Sequence, residues 1–102
     1  MDVIAACDAI IDTEPRAAQA HQARGIAWYR MGNYDEAIDD FNQSIAFDPN
    51  YIRAFFNRAL AWEQKGKLDD ALADLKYFIE LDSSFPDAQI AIARVTAAKE
   101  KD

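Results

Sequence analysis

Apolar and small side chains recur at intervals of three and four along nearly the whole chain, the spacing that gathers them on one stripe of an α-helix. The stripe runs through Tyr34, Ala37, Ile38, Phe41 and Ile45, and it returns as Leu68, Ala71, Leu72, Leu75 and Ile79. A shorter series, His21, Gly25 and Trp28, precedes the first stripe and reappears before the second as Phe55, Ala59 and Trp62. Gly32-Asn33 and Gly66-Lys67 separate the members of each pair, and glycine is the residue that takes the left-handed conformation ending a helix. The pattern predicts six helices, at 2–13, 17–31, 35–47, 51–65, 69–81 and 86–99. Proline fits the first turn of a helix, so Pro49 and Pro86 are read as opening the fourth and sixth.

The chain is therefore periodic. A shift of 34 residues aligns Arg24 with Arg58, Ala27 with Ala61, Trp28 with Trp62, Gly32 with Gly66, Asp40 with Asp74 and Asp48 with Asp82. Each period is a pair of antiparallel helices, and small residues at Gly25, Ala59, Ala37 and Ala71 mark where the two cross. Val3, Cys7, Ile11 and Pro15 fall one period before Ala37, Phe41, Ile45 and Pro49, which makes the first helix the second member of a pair whose first member the sequence does not contain. The expected organisation is one all-α domain: residues 1–17, repeats at 18–51 and 52–85, and a capping helix in 86–102 that ends in a polar run.

These residues resemble the tetratricopeptide repeat (TPR) family, whose unit has the same length and places large, small, aromatic, Ala, aromatic and Pro residues at fixed offsets. The signature positions read His21, Gly25, Trp28, Tyr34, Ala37, Phe41 and Pro49, then Phe55, Ala59, Trp62, Leu68, Ala71 and Leu75, with His21 and Ser83 as departures. The resemblance implies a right-handed helical-hairpin solenoid and a protein-interaction module that binds a peptide or partner helix on its concave face, without catalysis. Helical offsets assign that face to Gln19, Gln22, Ile26, Tyr29 and Arg30, then Arg53, Phe56, Asn57, Leu60 and Glu63, then Asp87, Ile90, Arg94 and Ala97. The expected groove has an apolar floor with a few polar anchors, Arg53 and Arg94 among them. The alternative is that Phe56 and Leu60 pack against a neighbouring helix.

One use of the family is a carboxylate clamp, in which Lys and Asn of one repeat, Asn of the next, and Lys and Arg of a third hold the C-terminal Asp of a chaperone. At those offsets this chain has Gln22 and Ile26, then Asn57, then Asp87 and Ala91, so every cation is absent and chaperone tails are not the expected ligand. A second reading is self-association, as a two-fold homodimer, through Val3, Cys7, Ile10 and Ile11, which lack a covering helix.

Charge and chemistry narrow this picture. Eleven Lys and Arg against eighteen Asp and Glu give a net charge of -7, which repels phosphate backbones and anionic lipid heads, so neither nucleic acid nor direct membrane contact is expected. No signal sequence or apolar span is legible, and a soluble protein with the cytoplasm as default compartment follows. One cysteine and one histidine exclude an intramolecular disulfide and a Cys/His zinc site. The acidic residues of the second helices, Asp35, Glu36, Asp39 and Asp40, then Asp69, Asp70 and Asp74, are read as mostly beginning those helices, where they are favourable charges rather than metal ligands. No catalytic residue and no cofactor is expected.

Overall fold

The computed structural model describes residues 2–101; Met1 and Asp102, the outermost residues of the two predicted terminal segments, lie outside it. Six helices follow in order: α1 (Val3–Thr13), α2 (Ala18–Arg30), α3 (Tyr34–Phe47), α4 (Arg53–Gln64), α5 (Leu68–Leu81) and α6 (Pro86–Glu100). The described residues contain no strand. Helices α2 with α3 and α4 with α5 form two hairpins, and α3 packs on α4, α5 on α6 and α1 on α2. The result is elongated, 44 × 27 × 19 Å.

The turns arise from local chemistry. Gly32 and Gly66 have φ of 82° and 77°. There the N–H of Asn33 reaches the Trp28 carbonyl at 2.9 Å and that of Lys67 reaches Trp62 at 2.9 Å, so each hairpin bends through the same glycine-ended cap. After each hairpin the aspartates at 48 and 82 accept from the backbone N–H two residues on, at 3.1 and 3.0 Å, and tighten the connection to the next helix. Ser84 donates twice to Asp82, from its hydroxyl and its backbone, and this lowers the Asp82 pKa. The proline expectation holds at one position of two. Pro86 lies in the first turn of α6, whereas residues 49–52 form the turn itself and α4 begins only at Arg53.

Phe41 and Phe78 are fully enclosed. Where α2 crosses α3, a Cβ built on Gly25 would lie 2.6 Å from the Phe41 ring, so the helix axes approach as closely as they do because no side chain intervenes. The second hairpin has Ala59 and Leu75 at these positions, a larger residue facing a smaller one. Gly25→Ala is thus expected to destabilise by about 1–3 kcal/mol through overpacking, even though alanine gains about 1 kcal/mol of helix propensity. Adding Phe41→Leu, which transplants the second hairpin's pair, is expected to recover most of the loss in urea denaturation. A stabilised single variant would show that the crossing has slack.

Candidate functional site

Helices α2, α4 and α6 bring most of the expected groove residues together. Ile26, Tyr29, Asn57 and Leu60 surround an open cavity of about 280 Å³ with Arg30, over Phe41. Tyr29 and Leu60 continue into a second cavity of about 540 Å³, which Phe56, Glu63, Asp87, Ile90 and Arg94 complete. The two share a wall, so the groove is one trough with an apolar floor. Ile90 is 60% exposed and projects from α6 without a role in the packed stripe.

Several expectations change in three dimensions. Gln22, expected in the groove, is 4% exposed with its Oε1 unpaired among the described residues; its position on α2 is buried and does not reach the trough. Gln19 is exposed but lines neither cavity. Arg53 is exposed, but its guanidinium sits 4.1 Å over the Phe85 ring, outside both cavities. Arg94 makes a paired contact with Glu63, at 2.6 and 2.8 Å, which straps α6 to α4 across 31 residues and raises the arginine's pKa. The two expected cationic anchors therefore already hold partners. Phe56 borders the larger cavity, and its ring also packs against Phe78 and Phe85 at 5.8 and 5.2 Å. Burial raises the Tyr29 pKa, and neighbouring Tyr34, in edge contact at 5.3 Å, raises it further.

The structure also corrects the account of the acidic residues. Asp35 and Glu36, and Asp69 and Asp70, do occupy first turns of α3 and α5. Asp40 and Asp74 instead are buried, each held by two nitrogens of an arginine 16 residues earlier, Arg24 at 2.8 and 2.7 Å and Arg58 at the same distances. Each arginine reaches back as well, Arg24 to Asp8 and Arg58 to Asn42, so it links three helices. The sequence carried the signal, since the Arg and Asp both recur at the period. His21 joins this cluster, its Nε2 2.9 Å from the Pro15 carbonyl and its Nδ1 3.4 Å from Asp40.

Of the residues read as a self-association face, Val3 and Ile10 are exposed and Ile11 is half-buried. Cys7 is not available: it is 5% exposed because its side of α1 packs inward. Burial raises the thiol pKa. Two outcomes are expected. Alkylation by iodoacetamide proceeds slowly on the folded chain and accelerates with denaturant. Stability is also constant below the ordinary thiol range and falls as pH rises through it, because the unfolded chain ionises first. Alkylation at the free-thiol rate in the folded state would contradict the burial. Among the described residues no three His, Cys, Asp or Glu side chains are grouped as metal ligands, and no helix is long and apolar enough to cross a membrane.

Known proteins give the comparison. The sequence profile of the tetratricopeptide repeat matches residues 18–51. A sequence search of curated proteins finds no match. Among solved structures, the first TPR domain of Spaghetti (RPAP3) bound to the HSP90 peptide SRMEEVD is similar with a TM-score of 0.92 at 23% identity, over 95% of this chain and 77% of that one. The second TPR domain of human RPAP3, in complex with the HSP70 peptide SGPTIEEVD, has a TM-score of 0.86 at 26% identity, over 91% and 78%. The TPR2B domain of yeast Sti1, in a pHsp70 complex, has a TM-score of 0.87 at 23% identity, over 93% and 81%. The internal period, the paired helices and these likenesses agree: residues 18–51 match the tetratricopeptide repeat, and the chain has the helical-hairpin fold of tetratricopeptide repeat domains.

Proposed function

We propose that this chain is a non-catalytic interaction module that holds a peptide or partner helix in the trough of α2, α4 and α6, chiefly by apolar contact. The observation that carries this is Ile90, a large apolar side chain left open to solvent on a floor that Tyr29, Leu60 and Phe56 continue. Such a side chain contributes nothing to the fold where it stands, and burial of apolar surface is the main source of binding energy in a concave site. A trough of this length supports affinity on the order of micromolar.

The RPAP3 and Sti1 domains in the similar structures hold chaperone peptides. In this chain the offsets of the family's carboxylate clamp are occupied by buried Gln22, half-buried Ile26 and Asn57, exposed Asp87 and buried Ala91. Our reading is that an acidic C-terminal tail is a weak ligand here, because Asp87 repels its carboxylate and no lysine offsets that repulsion.

Two measurements test the proposal. A random peptide library is selected on the wild-type chain, and selected peptides are titrated against Ile90→Glu, checked for unchanged helicity. A loss of about tenfold or more is expected, the scale of one apolar anchor. SGPTIEEVD, titrated in parallel, is expected to bind no better than a scrambled version. Selected peptides indifferent to Ile90→Glu would overturn the trough as the site, and tight binding of SGPTIEEVD alone would overturn its apolar character. Phe56 is a poor choice for this test, since its removal would also loosen the Phe78 and Phe85 cluster.

A further inference from the structure

Between the start of α1 and the end of α2 lies an open cavity of about 350 Å³, walled by Val3, Ile4, Ala27 and Met31 and bordered by Asp2 and Arg30. It adjoins the trough at Ile26 and Arg30 but opens between a different pair of helices. The repeat supplies a comparison within the molecule. Moved forward by one period, Val3 and Ile4 fall on Ala37 and Ile38, Ala27 falls on Ala61, and Arg30 falls on Gln64. At that second junction Ala37, Ile38 and Ala61 are buried, and α2 lies over them with Ile26 and Tyr29. At the first junction Val3 is 58% exposed and Met31 62%. The α3–α4 junction therefore records what an α1–α2 junction of the same register accommodates, which is a helix.

Arg30 sets the charge of that helix. Every other arginine is engaged: Arg24 and Arg58 on Asp40 and Asp74, Arg94 on Glu63, and Arg16 and Arg53 over the rings of Phe47 and Phe85. Arg30 is exposed and has neither a carboxylate nor a ring partner among the described residues; locally it only faces the negative end of α2. Asp2, the other charge at the cavity, accepts from the Ala5 N–H as the cap of α1. At the covered junction the counterpart of Arg30, Gln64, lines the same cavity as Tyr29. A helix lying over α1 and α2 in the same way thus places its own counterpart of Tyr29 beside the Arg30 guanidinium.

We propose that the α1–α2 junction is a docking site for an amphipathic helix of a partner protein, one with an apolar residue where α2 has Ile26 and a glutamate three residues later, its carboxylate on Arg30. Spacing of three keeps both side chains on the face that meets the junction. The apolar cavity supplies affinity, and the charge pair selects register and partner.

The probe follows from the same symmetry. A fluorescent peptide with the sequence of residues 17–31, carrying Tyr29→Glu and a staple on its solvent face, with helicity confirmed by circular dichroism, is titrated into the folded chain. Binding is expected to weaken about tenfold or more in Arg30→Glu and in Val3→Asp. It should be restored in Arg30→Glu by a peptide carrying Tyr29→Arg instead, and be unchanged in Ile90→Glu. No saturable binding, or binding indifferent to Val3→Asp, overturns the proposal. Dependence on Ile90 assigns the peptide to the trough and also overturns it. A wild-type chain that sediments as a dimer and is dispersed by Val3→Asp makes a second copy the occupant, which overturns the partner helix as well. Because the trough test reads Ile90 and this one reads Val3 and Arg30 by charge exchange, either can fail alone.

Discussion

Phe41→Ala is expected to destabilise the chain by about 3–5 kcal/mol, the range for removing a fully enclosed aromatic side chain. The ring has no exposure, and it fills the space that Gly25 leaves between α2 and α3. Glycine has no side chain to turn into the vacated volume, and the ring also lies beneath the trough cavity at Ile26 and Asn57. The first feature limits relaxation, whereas the open cavity lets neighbouring side chains and water reach the vacated space, so the cost stays within that range. A domain of this size has a total stability of about 5–15 kcal/mol, so a large fraction is removed and the midpoint of urea denaturation shifts visibly. Leu75→Ala, at the equivalent position, should cost less, because a smaller side chain is lost opposite Ala59, whose methyl already occupies part of the crossing. Equal costs in the two hairpins would show that the Gly25–Phe41 contact is not the tighter one.

Asp40→Ala is the second large expected effect, about 2–4 kcal/mol. The carboxylate is almost fully buried, accepts from Nε and an Nη of Arg24, and lies 3.4 Å from His21. Removing it strands part of a guanidinium whose side chain is 24% exposed, although Asp8 keeps the other Nη. That remaining contact, and access to water, hold the cost below that of a wholly buried orphaned charge. Arg24→Met should be costly as well, since it leaves a buried carboxylate facing only His21. The double variant is expected to cost less than the sum of the two, with a coupling of about 1–3 kcal/mol. Strict additivity in that cycle would mean the ion pair contributes nothing beyond the packing of its stems.

The same Arg and Asp recur in the second hairpin but stop there. Position 92, one period after Arg58, is isoleucine, and it packs against the apolar cluster of Ala59, Leu75 and Val95. Position 76, one period after Asn42, is lysine. The polar link between successive second helices ends at α6, where an apolar contact replaces it.

What the sequence determined by itself was the set of helices, their pairing and the face each turns inward. Those features depend on spacing within one helix and on two glycines at the bends, and both are local. The apolar stripes from Tyr34 and from Leu68, and the cap at Gly32, required no knowledge of neighbours. Tertiary structure decided which side chains remain free. Offsets on α2 aim Gln22 toward the concave side, yet packing of the helices buries it; Arg94 finds Glu63 across 31 residues, Arg53 settles on Phe85, and Asp40 leaves the solvent for Arg24. A helical period fixes the angle of a side chain about its own axis. The distance and tilt of the next helix determine whether that angle points to water, a partner or an apolar wall, and here they leave Ile90 open beside the trough and Arg30 open where the other arginines are engaged.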